Sequence, residues 1–158
     1  MNTSSRFAVG VHILAMLALH DGSPLSSERI AASVNTNPAL IRRLLSMLAQ
    51  AGLTTAQLGT GGGALLARDP SEIRLVDVYR ALEDAPVFAL HRERPAAGSV
   101  VGRHIRTVLL EVSDRIEHAI DATLAEQTLA DVAGSLAQHE RARVRKAKRK
   151  VEIGRAHV

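Results

Sequence analysis

Apolar side chains recur three and four positions apart along most of this chain, and that period breaks around one glycine-rich stretch. The clearest repeat is Leu40, Ile41, Leu44, Leu45 and Leu48. At about 100° per residue these form one stripe, and Ala39, Arg42, Arg43, Ser46 and Gln50 occupy the opposite face. Asn37 suits the N-cap, Pro38 the first helical position, where a missing N–H costs nothing, and Gly52 a left-handed stop. The pattern predicts one amphipathic helix between Asn37 and Gly52. Ahead of it, residues 6–20 are apolar around most of a helical circumference and read as a buried helix capped by Ser4 or Ser5. Asp21-Gly22-Ser23-Pro24 reads as a turn. Ser26 or Ser27 caps a short helix over 27–34, with Ile30, Ala31 and Val34 facing inward.

After Gly52, residues 53–58 and 64–68 are β-capable runs around Gly59-Thr60-Gly61-Gly62-Gly63, which predicts a hairpin. Asp69-Pro70-Ser71-Glu72 restarts a helical segment, 73–75 is extended, and 75–82 is helical through Val76, Val78, Tyr79 and Leu82. Residues 84–102, with Pro86, Pro95 and Gly98, lack a period and read as a long loop. Such loops are uncommon in compact domains and are often functional. From 103 to about 125, Ile105, Val108, Val112, Ile116, Ala119 and Thr123 make a narrow seam suited to packing on another helix. A short helix follows from Thr128 through Leu129, Val132 and Leu136. Beyond it lies a basic tail that either extends the helix or is disordered. The expected fold is mostly α with a small β-hairpin. A winged helix-turn-helix occupies residues 1–83, a long loop 84–102, further helices 103–138 and the tail 139–158.

Composition narrows the chemistry. Of 158 residues, 46% are apolar but only 2% aromatic, so the core must rest on aliphatic residues, which favours helices. With no cysteine, disulfides, thiolate metal sites and cysteine nucleophiles are excluded. No signal peptide or membrane span is apparent, and a cytoplasmic location is expected. The net charge of +4 is unevenly held. Residues 139–158 carry eight Lys/Arg against Glu140 and Glu152, a net of +6, which leaves −2 for residues 1–138. Any DNA contact by the body must therefore come from a local basic cluster.

Four patches resemble the Rrf2 family of bacterial winged-helix regulators. They are Ser5-Arg6-Phe7-Ala8-Val9, Asn37-Pro38-Ala39-Leu40-Ile41-Arg42-Arg43-Leu44-Leu45, Ala51-Gly52-Leu53 with Gly61-Gly62-Gly63 and Leu66-Ala67-Arg68, and the run from Ile73 to Glu83. Thr128-Leu129-Ala130-Asp131-Val132 matches the family's closing segment. The resemblance implies that 84–102 is a regulatory loop and 103–138 are dimerisation helices, with a homodimer joined through the long helix and bound to a palindromic operator in double-stranded DNA, and a repressor is the leading expectation. Two departures stand out. Cluster-binding members carry three cysteines beside the loop. This chain has none, so iron–sulfur ligation of the usual kind is impossible and no cofactor is expected. A cysteine that cluster-free members often keep is replaced at Ser99 or Val100, so a thiol switch is absent too. The wing lacks the family's basic and aromatic residues, which leaves Gln57, Thr60, Gly61 and backbone amides for its contacts.

In a helix-turn-helix the N-terminal residues of the second helix meet base edges. Thr36, Asn37, Pro38 and Ala39 are expected nearest the bases, with Ser46 farther along the same face. Arg42 is the better base reader and Arg43 the better phosphate clamp, although the sequence does not separate them. Ser26 and Ser27, at a helix N-terminus, can hold a phosphate. Gly61-Gly62-Gly63 lacks the Lys-Ser/Thr of a nucleotide-binding loop. Asp114, Glu117, His118 and Asp121 share a helical face, and His104, Glu111 and His118 repeat every seven residues. These are metal-ligand types, but with Arg115 beside them the expected reading is a solvated face, and a loop role is expected for His91. The basic tail suits either an ordinary solvated segment or a salt-dependent hold on phosphates. A small-molecule inducer at the loop or a protein partner is the expected input. No catalytic group emerges. The alternative to a regulator is a protein-interaction module that kept the winged-helix body and lost its operator.

Overall fold

The structure is a computed structural model that describes residues 4–155. Six α-helices and one hairpin follow in the order α1 (Arg6–Leu19), α2 (Ser27–Val34), α3 (Pro38–Gln50), β1 (Thr54–Gln57), β2 (Gly63–Leu66), a 3-10 turn (Pro70–Glu72), α4 (Leu75–Leu82), α5 (Val100–Ala125) and α6 (Leu129–Arg155). Helices α1 to α4 enclose an aliphatic core of Ile13, Leu14, Leu25, Ile30, Ile41, Leu44, Leu48, Leu53, Ile73, Val78 and Leu82, joined by Leu129 from the start of α6. Gly10 sits where α1 crosses α4. A Cβ there would lie 2.1 Å from Leu82 Cδ1, so any larger residue must displace that buried side chain.

The strands pair antiparallel, with Thr54 opposite Leu66 and Gln57 opposite Gly63. Leu25 adds a third short rung, since its N–H and C=O exchange bonds with Ala64 at 3.0 and 2.8 Å. The hairpin is thereby fixed to the turn before α2. At the other end of the body, the Leu75 N–H bonds to Gln127 O at 3.0 Å and the Leu129 N–H to Ile73 O at 2.8 Å. These bonds hold the α5–α6 corner against the start of α4.

Two boundaries differ from the expectation. Helix α5 starts at Val100 rather than 103, so the loop ends at Ser99 and not at 102. Ser99 Oγ accepts the Gly102 N–H at 3.0 Å, and Arg103 reaches back to Ala97 O at 2.8 Å. The cap thus sits three residues before the apolar seam becomes regular. The expected short last helix and the basic tail are one helix, α6, as far as Arg155, and residues 156–158 of the tail lie outside the described residues. Between Leu136 and Arg155 lie mainly Ala, Arg and Lys, all good helix formers, with no proline to stop them.

Candidate nucleic-acid interface

The α2–α3 turn is built by its own polar side chains. Ser26 Oγ accepts the Arg29 N–H at 3.3 Å and caps α2. Asn35 takes the left-handed conformation with φ +59°, and the Thr36 N–H closes the turn on Ala31 O. Asn37 Oδ1 accepts the Ala39 N–H at 2.8 Å and caps α3. The Ser26 and Asn37 oxygens are therefore engaged in holding the turn, and half-buried Thr36 belongs to it as well.

Helix α3 buries Ile41, Leu44 and Leu48 and leaves Ala39, Arg42, Arg43 and Ser46 exposed, with Pro38 half-buried at its start. Its exposed face borders a cleft of about 310 Å³ between α2, α3 and the hairpin. Ser27, Arg42, Ser46, Thr55 and Gln57 line it. These polar groups come from three elements that the fold clamps together. Arg42 is already engaged, since its Nη2 lies 2.5 Å from Glu28 Oε1 on α2. Glu28's own backbone N–H, and then Arg42, hold its carboxyl below the usual range. Arg43 does not line this cleft. Its charge reaches Asp84 after α4, where Arg6, and far more weakly Arg43, keeps the carboxyl low. The two arginines thus serve opposite edges of α3.

The wing tip turns on glycines. Gly59 and Gly61 have φ of +92° and +75°, and a Cβ on Gly62 would lie 2.1 Å from Gln57 O. The tip needs these glycines for its own reversal, whatever it touches. Thr60 and Gly61 are exposed there, beyond the residues lining the cleft, whereas Gln57 lies within it. Leu58 is 91% exposed beside the tip, and residues 54–66 carry no charge. Glu28, Thr55 and Leu58 were not singled out from sequence. Nothing in the spacing of Glu28 and Arg42, fourteen positions apart, signals their pairing.

Helix α5 has two apolar faces. Ile116 and Ala119 line a groove with Phe7, Tyr79, Ile120 and Leu124 of their own chain, where Phe7 and Tyr79 meet edge to face at 5.8 Å. Val108, Val112 and Ala119 are exposed, and Ile105 is half-buried. The expected seam is therefore shared between the body and an open outer strip. Near the start of the loop, Tyr79, Glu83, Asp84, Pro86, Glu117 and Asp121 line a cleft of about 370 Å³. Asp121 there pairs with Arg80 at 2.6 Å. His118 Nδ1 lies 2.7 Å from Asp114 O and donates to it. That bond, followed by the charges of Asp114, Asp121 and Glu117, raises the imidazole pKa.

A winged helix-turn-helix with an exposed α3 beside a polar cleft is a DNA-reading architecture. The chain belongs to the Rrf2 family of transcriptional regulators, whose model matches residues 3–135. YwnA of Bacillus subtilis (strain 168), whose name places it among helix-turn-helix-type transcriptional regulators, is 40% identical over 84% of this chain and 98% of its own. The regulator CymR of the same organism is 31% identical over 80% of this chain and 88% of its own. The solved structure of that CymR, titled the global cysteine regulator, superposes with a TM-score of 0.62 at 26% identity, covering 85% of this chain and 98% of that one. These relatives are transcriptional regulators, not enzymes. The family model is described as an iron-dependent transcriptional regulator. This chain's residues do not fit an iron–sulfur centre: it has no cysteine, and no three His, Asp or Glu side chains converge among the described residues. No helix among the described residues is long and apolar enough to cross a membrane.

Proposed function

We propose that this protein is a cluster-free transcriptional repressor that binds a palindromic operator as a homodimer in the cytoplasm. The cleft between α2, α3 and the hairpin carries the reading, because it gathers Ser27, Arg42, Ser46 and Gln57 along the exposed edge of α3. Such a surface combines phosphate-holding hydroxyls with a guanidinium able to take guanine O6 and N7 together. Arg42 reads the base, and Arg43 at the far edge holds the phosphate. The open strip of Val108 and Val112 supports pairing of two chains through α5. A small-molecule inducer seated where the loop meets α5 would bias the dimer between DNA-competent and incompetent states.

Selection of bound fragments from genomic DNA with purified protein tests the proposal. The expected result is an enriched palindrome whose half-sites lie about one helical turn, or a multiple of it, apart. Recovery of unrelated fragments at the lowest salt, with no shared sequence, would leave the interaction-module reading instead.

A further inference from the structure

Residues 138–151 of α6 are exposed without exception, although the helix is unbroken. Fourteen residues at 1.5 Å each make an arm about 20 Å long with no apolar support from the body. Its charges are ordered by the helical period. Arg141, Arg145, Lys146, Lys148, Arg149 and Lys150 fall on one broad arc, and Val144, Ala147 and Val151 on a narrow strip across from it. Among the described residues only Arg143, at the edge of the arc, is paired, through Nε and Nη2 to Glu140 at 2.9 Å each.

We infer that this arm is a second, sequence-independent DNA-binding element that grips the phosphate backbone outside the operator. The partner follows from charge. Residues 1–138 sum to −2 and do not supply the long-range attraction that brings a protein to a duplex, whereas the arc of six cations on the arm does. At one phosphate charge per ~1.7 Å of axis, a 20 Å arm faces roughly a dozen phosphate charges. The strip of two valines and one alanine holds no Leu, Phe or Trp, so it offers a membrane little apolar area to bury. The inference takes its partner from the DNA-binding reading above but does not depend on operator choice.

The test compares the full chain with a variant carrying Arg141→Gln, Arg145→Gln, Lys146→Gln, Arg149→Gln and Lys150→Gln. A second variant carries Arg141→Lys, Arg145→Lys and Arg149→Lys. Binding to a scrambled duplex is titrated by fluorescence anisotropy across a range of salt. The glutamine variant should lose about 2 to 4 from the slope of log affinity against log salt, and about tenfold or more in affinity near 0.1 M salt. The lysine variant should keep the slope. An unchanged slope in the glutamine variant, with helix content retained by circular dichroism, overturns the inference. So does a slope that stays while binding to anionic lipid vesicles is lost. Operator preference is read in the same titrations. A wild-type protein without preference defeats the repressor proposal and leaves the slope comparison intact.

Discussion

Arg42 has two possible partners, and the protein supplies only one of them. In the free chain its guanidinium rests on Glu28 across the mouth of the cleft, with both side chains largely exposed. An ion pair this exposed contributes little to stability. Its consequence lies in binding, because Glu28 holds Arg42 in place and also sets a negative charge where phosphates must approach. Arg42→Ala should cost about 1–3 kcal/mol on the operator and relax the preference at one base pair, whereas Arg43→Ala should weaken operator and scrambled duplexes alike. Glu28→Gln should strengthen binding to scrambled DNA more than to the operator, narrowing their ratio. Competition titrations of the three variants decide this, and an equal loss of specificity in Arg42→Ala and Arg43→Ala would reject the division of roles. His118 gives a residue-scale prediction in pH. Its raised pKa stabilises the fold fully below the unfolded value of about 6.5, and the contribution is lost as pH rises through the folded value. The imidazole should titrate above that value by NMR. In Asp114→Asn the midpoint should fall but stay elevated, because the Asp114 carbonyl remains.

At the scale of elements, most of the DNA-reading half was legible because its signals are local. Asn37, Pro38 and Gly52 bracket α3 as expected, and the Leu40 to Leu48 stripe turns inward as its period requires. The hairpin fell where the glycines put it. What the sequence hid depends on contacts between distant residues. Leu25 joining the hairpin, the 73–75 segment bonding to 127–129 and Glu28 meeting Arg42 leave no periodic trace. The α5 start differs from the seam's period because the Ser99 cap sets it ahead of the seam, and the course of α6 is ambiguous in sequence because charge repulsion and helix propensity point opposite ways over residues 139–151. The α1–α4 crossing gives a prediction of this kind. Gly10→Ala places a methyl against Leu82 inside the core and should destabilise the protein by about 1–3 kcal/mol. Gly134→Ala, which meets nothing within 4 Å on α6, should stabilise by up to about 1 kcal/mol. Chemical denaturation of the pair should give opposite signs.

For the whole molecule, the outer face of α5 ties the other features together. Val108 is 52% exposed and Val112 38%, one turn apart on α5, ahead of the stretch from Ile116 onward that borders Phe7 and Tyr79. A long helix with a satisfied inner face and an open apolar outer one is suited to a second copy of itself. Pairing would also set two α3 helices on one duplex. Engaging both half-sites at once multiplies apparent affinity by about 10²–10⁴ without any new contact. Val108→Glu with Val112→Glu should therefore give a monomer by analytical ultracentrifugation, still folded by circular dichroism because both positions are exposed in the single chain, and with a lower melting temperature because the pairing no longer stabilises the native state. Operator affinity should drop by about a hundredfold or more, while binding to an isolated half-site stays the same. A variant that remains dimeric would move the interface away from α5. A monomer that still binds the full operator at wild-type affinity would show that one copy of the cleft suffices, and the palindrome would lose its physical reason.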